Sequence, residues 1–273
     1  MPDAPATMRF TVLGCGSSPG TPRLNGDWGN CDPQNPRNRR LRASLLVERI
    51  LPDGAKTCVV IDTGPDFRQQ MLAASVTQLD GVVYTHPHAD HIHGIDDLRT
   101  LVLYQKRLMD IWADAPTERR LREAFSYCFE TPAGSSYPPI LRANPIDHAT
   151  PFAVEGPGGP IRFEPLPQQH GSIVSLGFRI GGLAYCPDVS AFPTATLAQM
   201  RGLDVLIVDA LQYREHPSHL SLDQALAVIM ELRPKKAYLT HMHIPLDYET
   251  VLHETPASVE PCHDGLVLEL EAS

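Results

Sequence analysis

The chain has 273 residues, of which 42% are hydrophobic and 20% are charged, and this composition excludes a disordered, collagen-like or disulfide-stapled protein. Lys and Arg number 23 against 32 Asp and Glu, and the net charge of −9 disfavours a nucleic-acid partner, which needs a broad basic surface. The sequence has no apolar run of about 18 residues and no signal-peptide pattern at its start, so we expect a cytoplasmic protein without membrane contact.

The elements predicted in chain order alternate between sheet and helix. Residues 1–7 are expected to form a flexible tail, and residues 8–273 a single domain. Strands are predicted at residues 9–13, 44–50, 58–62, 80–85, 161–166, 176–180, 183–186, 204–208, 236–240 and 266–270. Helices are predicted at residues 65–74, 95–104, 116–129, 195–201 and 222–232. The fold class is therefore α+β, with sheets covered by helices.

The densest group of chemically active side chains follows the apolar strand 80–85. His86 and His88 point to the same side of an extended segment and can bind one metal ion. Asp90 and His91, at the turn that follows, can reach a second ion beside the first. Core packing does not require such a group, because each buried imidazole needs a hydrogen-bond partner or a metal.

Three later strands also lead to a candidate ligand. Strand 161–166 leads to His170, strand 183–186 to Asp188, and strand 236–240 to His241. Each of these residues alone could be an ordinary polar residue of a loop. Together they favour a metal site at one edge of a sheet, where strands position the ligands and loops give access.

These residues, with Asp62 at the end of strand 58–62, resemble the metal-binding motifs of the metallo-β-lactamase superfamily in order and approximate spacing. The resemblance implies an αββα sandwich of two mixed sheets, with a site for two divalent ions at one edge. It implies one ion on His86, His88 and His170, a second on Asp90, His91 and His241, Asp188 as the bridge, and Asp62 as a residue that orients ligands.

Three segments narrow the resemblance to the branch of the PhnP-type phosphoribosyl cyclic phosphate phosphodiesterases. They are residues 14–22 (GCGSSPGTP), 80–99 (DGVVYTHPHADHIHGIDDLR) and 217–221 (PSHLS). The ribonuclease Z enzymes share parts of this pattern. The resemblance places His219 at the substrate phosphate, so we predict it as a phosphate ligand and general acid, against the alternative of a solvated loop histidine.

The branch often carries a structural zinc on closely spaced cysteines in the loop after the first strand. Here Cys31 stands alone in that loop, so a third metal is not predicted. The basic run Arg37, Arg39, Arg40 and Arg42 in the same loop has two interpretations, a solvated face or a clamp for phosphate groups.

The sequence thus predicts a dinuclear metal-dependent phosphodiesterase with Zn²⁺ or Mn²⁺ as cofactor. A metal-bound hydroxide would cleave a small cyclic or nucleotide-like phosphodiester, with Asp90 orienting or deprotonating the nucleophile. The alternatives are a ribonuclease Z-like nuclease, a thioester or lactone hydrolase, and a non-catalytic nucleotide sensor on the same fold. The expected partner is a small phosphate ester or a nucleotide, and a homodimer is expected only from the base rate of oligomers.

Overall fold

The computed structural model describes residues 5–272, and its strands form mostly where the sequence concentrates apolar and β-branched residues. The strands are β1 Thr7–Gly14, β2 Ser44–Ile50, β3 Lys56–Ile61, β4 Gly81–Val83, β5 Met109–Ala113, β6 Leu141–Pro145, β7 Phe152–Val154, β8 Ile161–His170, β9 Ile173–Ile180, β10 Leu183–Cys186, β11 Val205–Asp209, β12 Lys236–Thr240, β13 Val259–Pro261 and β14 Val267–Glu271. Of the tail predicted at residues 1–7, residues 1–4 lie outside the described part, and Thr7 already belongs to β1.

The helices are short. They are α1 Phe67–Ala73, α2 Ala89–Ile92, α3 Leu98–Gln105, α4 Ala115–Ala124, α5 Ser126–Phe129, α6 Thr194–Gln199, α7 Leu222–Leu232 and α8 Tyr248–Glu254, with single 3₁₀ turns at Pro36–Asn38 and Ile95–Asp97. Among residues 5–272, no helix has the length and apolar character that crossing a membrane requires.

The described residues divide into two units, each built around a mixed sheet. The first unit comprises residues 5–11, 44–162 and 267–272, and the second comprises residues 12–43 and 163–266. The first sheet has the order β14-β1-β2-β3-β4-β5-β6. Its β14–β1 and β2–β3 pairs are antiparallel, whereas β3, β4, β5 and β6 run parallel to one another.

In the second unit, neighbouring strands follow the order β13-β12-β11-β10-β9-β8. The pairs β8–β9 and β9–β10 are antiparallel, and the strands from β10 to β13 are parallel. All five residues of β11 are buried, as expected for a parallel strand that is covered on both faces. Helix α7 buries Leu222, Ala225, Ile229 and Leu232 at helical spacing.

The predicted fold class, α+β with two mixed sheets and flanking helices, is confirmed. The predicted bounds of β2, β10, β12 and α7 coincide with the observed ones. The helix predicted at 116–129 was wrong as one element, because Phe125 has φ −134° and ends α4 before α5 begins. Strands β5, β6, β7 and β13 and helices α2 and α8 were not predicted.

Candidate metal centre

In the first unit, two parallel strands bring the candidate ligands to one sheet edge. Strands β3 and β4 run side by side in the same direction, so the residues that follow them lie together. Asp62 follows β3 directly and donates its N–H to the Val83 carbonyl at 2.9 Å. Thr85 and His86 come shortly after the end of β4.

Asp62 organises this edge by accepting three hydrogen bonds. It accepts from the Thr85 N–H (2.9 Å), the Thr85 hydroxyl (2.7 Å) and Nδ1 of His91 (2.7 Å). Because the Thr85 hydroxyl donates to Asp62, it accepts from Nδ1 of His86 at 2.9 Å. Both imidazoles therefore carry their proton on Nδ1 and present Nε2 as the metal-binding atom. Asp62 is placed as an orienting role requires, and that role stays a prediction.

Two further contacts place pairs of ligand atoms at the spacing of metal ligands. Nε2 of His86 lies 3.0 Å from Nδ1 of His88, and Nε2 of His91 lies 3.4 Å from Oδ2 of Asp90. Two atoms bound tetrahedrally to one zinc ion at about 2.1 Å each are about 3.4 Å apart. Each pair matches one of the two ligand sets that the resemblance implies.

The short helix α2 carries Asp90 and His91 and is held close to Asp62 by Gly94. The Gly94 N–H donates to the Thr63 carbonyl at 2.7 Å. A Cβ atom at this position would lie 2.3 Å from the Gly64 carbonyl oxygen and 2.6 Å from Cβ of Phe67. Only glycine permits this approach, which explains the glycine in the His-rich motif.

In the second unit, four strands each end at or near a buried polar residue. His170 is the last residue of β8, Asp188 lies two residues beyond β10, and His241 directly follows β12. Asp209 is the last residue of β11. Sequence reasoning missed Asp209, although it ends an apolar strand in the same way as the others.

Asp188 lies between two of the predicted ligands. Its Oδ2 lies 3.3 Å from Nε2 of His241 and 3.7 Å from Nε2 of His170, the two residues that the resemblance assigns to different ions. Asp188 is 2% exposed. The carboxylate thus stands between two imidazoles in a nearly water-free environment.

The ring of His170 is fixed by the backbone. Its Nδ1 lies 2.6 Å from the Ser218 carbonyl oxygen, which can only accept, so Nδ1 donates and Nε2 faces Asp188. Gly171, with φ +59°, makes this approach feasible, because a Cβ atom there would lie 3.0 Å from Cβ of Ser218.

His219 is oriented by Asp209. Its Nδ1 donates to Oδ2 of Asp209 at 2.7 Å, and its ring stacks on that of His241 with centroids 4.7 Å apart. The same Asp209 oxygen accepts the Val189 N–H at 3.1 Å. A proton or hydrogen bond given to a substrate would therefore come from Nε2 of His219. The ring centroids of His219 and His216 lie 5.3 Å apart.

Two candidate site residues have an unusual backbone conformation. Asp62 has φ +66° and His241 has φ +56°, the left-handed region that side chains other than glycine rarely adopt. Such strain persists only where the surroundings hold it, and it concentrates at functional sites.

The residues present fit a divalent metal in their donor chemistry. The ligand atoms of His170 and Asp188, two predicted ligands, lie within 4.8 Å of each other, and His219, predicted to contact the substrate, completes that group. Imidazole nitrogen and carboxylate oxygen are the donors that Zn²⁺ and Mn²⁺ accept. Burial raises the pKa of Asp62 and of Asp209 and thus disfavours their charged forms. A cation nearby would act in the opposite direction and favour the charged forms.

The arginines of the basic run in the long loop differ in their surroundings. Arg37 and Arg39 are exposed and lie over the rings of Tyr248 and Trp28. Arg40 is 1% exposed and donates to the Leu246 carbonyl at 2.7 Å. For Arg40 both sequence interpretations were wrong, because its guanidinium is buried and donates to the Asn38 side chain and to the Leu246 carbonyl.

Comparison with known proteins supports the class that this geometry defines. The family model of the beta-lactamase superfamily domain matches residues 57–242. A solved diphosphatase of the PhnP family is 37% identical, with a TM-score of 0.85, over 97% of this chain and 98% of its own. The chain belongs to the metallo-β-lactamase superfamily as a PhnP-like member, which confirms the family predicted from the sequence.

Two further relatives are more distant in length or sequence. An octanoyltransferase of Porphyromonas gingivalis is 33% identical over 95% of this chain, which spans only 51% of that relative's length. The Zn²⁺-bound PqqB of Methylobacterium extorquens covers 96% of this chain and 100% of its own, with a TM-score of 0.71 and 18% identity. The likeness to PqqB shows the fold alone.

Proposed function

We propose that this chain is a metal-dependent hydrolase that cleaves a phosphoester or diphosphate linkage in a small, nucleotide-like substrate. The observation that carries the proposal is the orientation of the imidazoles. In each of His86, His91 and His170, Nδ1 donates to an oxygen, and Nε2 is therefore the ring nitrogen available to bind a metal ion. Membership of the superfamily and the PhnP-family diphosphatase support a metal-dependent hydrolase.

The proposed ligand sets are those that the resemblance implies. One divalent ion is assigned to His86, His88 and His170, a second to Asp90, His91 and His241, and Asp188 to both. Zn²⁺ or Mn²⁺ fits these donors. Bound there, two ions would lower the pKa of water and polarise a phosphoryl oxygen.

The chain's own residues supply the remaining steps. Asp90 is proposed to orient the attacking water and accept its proton. His219, fixed through Nδ1 by Asp209, is proposed to bind a phosphate oxygen and to protonate the leaving oxygen from Nε2. The substrate class, a homodimer and a cytoplasmic location stay predictions.

The first experiment compares substrate classes with the same protein. Metal-stripped chain is reconstituted with Zn²⁺ or Mn²⁺, and its metal content is measured. Hydrolysis of bis(p-nitrophenyl) phosphate and of a dinucleoside diphosphate is then compared with hydrolysis of a thioester and a β-lactam. We expect selective turnover of the phosphorus substrates. Absence of that turnover in fully loaded protein would refute the proposal.

A second candidate is a thioester hydrolase. The octanoyltransferase relative favours it, because acyl transfer by that enzyme concerns an octanoyl group and this chain matches half of its length. Selective hydrolysis of an octanoyl thioester in the same panel would favour this candidate, whereas nucleotide binding without turnover of any substrate would favour a sensor.

A further inference from the structure

The first unit contains a surface cavity outside the predicted ligands. It has a volume of about 270 Å³ and is lined by Arg99, Tyr127, Pro132, Ser135 and Tyr137. This volume lies just below the range of about 300–1,000 Å³ that holds a whole drug-sized ligand. The cavity therefore has room for one part of a substrate, such as a single ring system.

The loop that forms the outer wall is anchored at its base. The Ile140 N–H donates to the Cys128 carbonyl at 2.8 Å, and a turn between Pro132 and Ser135 is closed by a 3.0 Å hydrogen bond. The Ser135 hydroxyl accepts the Tyr137 N–H at 3.1 Å. These bonds hold the cavity wall in a defined shape.

The segments that line the cavity contact residues that follow the metal-ligand motif in the chain. Arg99 is the last residue of segment 80–99, which contains the His-rich motif, and its guanidinium donates to Asp96 at 2.9 Å. On the other side, the ring of His93 contacts that of Phe125, two residues before Tyr127, with centroids 5.8 Å apart. His86, His91 and the residues that line this cavity belong to the same unit.

The lining has the chemistry of a site for a planar aromatic group. The guanidinium of Arg99 lies over the ring of Tyr127, 6.0 Å from its centroid. Tyr127 and Tyr137 are 38% and 72% exposed, so both offer ring surface to a ligand. Tyrosine rings and arginine guanidinium planes are the surfaces on which nucleobases stack.

We propose that this cavity binds the base of a nucleotide substrate, with Tyr127, Tyr137 and Arg99 as its specificity-determining residues. The inference rests on the proposed function and deepens it, since it names nucleoside phosphates as the substrate class. The phosphate would be held by the metal centre and the base by the cavity.

The test measures the preference for a base. The kcat/KM value for a nucleoside cyclic phosphate is divided by that for the same ribose cyclic phosphate with a methoxy group instead of the base. In Tyr127→Ala and Tyr137→Ala, we expect this ratio to fall by about 5- to 150-fold, the effect of one lost stacking contact. Tyr137→Phe keeps the ring and should retain the ratio.

Tyr104 provides a matched control. It belongs to the same unit and is 71% exposed, a fraction similar to that of Tyr137, but it does not line the cavity. Tyr104→Ala should keep the wild-type ratio. An equal ratio in Tyr127→Ala, Tyr137→Ala and wild type would overturn the inference.

A binding measurement separates this inference from the proposed function. Calorimetry with metal-loaded protein compares the affinities for a nucleoside monophosphate and for ribose phosphate. If the wild type hydrolyses none of the phosphorus substrates, the two cyclic phosphates included, the proposed function fails, and the inference is then decided by whether the tyrosine variants lose the preference for the nucleoside. A loss of this preference in the variants supports the cavity as a base site. An unchanged preference refutes the inference.

Discussion

Asp188 is the residue on which the ligand assignment depends most. Its Oδ2 is 3.3 Å from His241 and 3.7 Å from His170. Asp188→Ala should therefore lower the metal content below two ions per chain, measured by elemental analysis after dialysis. The exposed Asp223 of the same unit is the matched control, and Asp223→Ala should keep the wild-type content. Full occupancy in Asp188→Ala would show that the ligand model is wrong.

His219 is expected to act on the substrate. His219→Ala should retain both metals and slow phosphodiester hydrolysis by about 10²–10⁴-fold, the range for a positioned acid. Asp209→Asn should slow it in the same direction, because Nδ1 of His219 loses its carboxylate partner. If the two act as one unit, the double variant is no slower than His219→Ala. Unchanged rates in His219→Ala would remove it from the mechanism.

The sequence displays the spacing of the candidate ligands but not the orientation of their side chains. The spacing of His86, His88 and His91 is a local pattern that the sequence displays. The partner that fixes His170 is the carbonyl of Ser218, distant in the chain, and such a contact follows only from the folded structure. Asp209 had a local signal, its place at the end of an apolar strand, but no family motif drew attention to it.

At the scale of elements, we expect the capping hydrogen bonds at the start of helix α7 to contribute to the unfolding free energy. Ser221 accepts the Gln224 N–H at 3.3 Å, and the Gln224 side chain accepts the Ser221 N–H at 2.9 Å. Ser221→Ala should cost about 1 kcal/mol of unfolding free energy and lower the Tm by about 2–4 °C. Ser221→Thr keeps the hydroxyl and should lose much less. Equal Tm values for Ala and Thr would contradict a capping role.

The elements found from sequence are those whose local preferences agree with their tertiary setting. Strand β12 and helix α7 have strong apolar patterns and clear ends. Strand β6 contains Arg142, Asn144 and Pro145, which give no strand signal, and it exists because it pairs with β5. Tertiary pairing outweighed local propensity there.

For the whole molecule, Asp264 predicts a pH dependence of stability. Burial raises its pKa from 3.8 to about 7, although it accepts the N–H groups of Leu41 and Cys15. The folded chain keeps this proton where the unfolded chain has lost it, so this group's contribution to the unfolding free energy falls as the pH rises from about 4 to about 7. The loss is about 1.4 kcal/mol for each unit of pKa difference.

The measurement is urea unfolding of metal-free protein between about pH 4 and about pH 8. Asp264→Asn cannot titrate, so the stability of wild type relative to this variant should fall across the range. Curves for Asp264→Asn and wild type that run parallel across the range would refute the assignment.

The six cysteines, all within the described residues, are free and buried. Burial also raises the pKa of every one of these thiols, so little reactive thiolate is present at neutral pH. An alkylating reagent can reach them only when the surrounding backbone opens. The labelling rates of three of these thiols therefore report the local opening free energies of three different parts of the chain. The three are Cys58 in β3, Cys186 in β10 and Cys31 in the long loop.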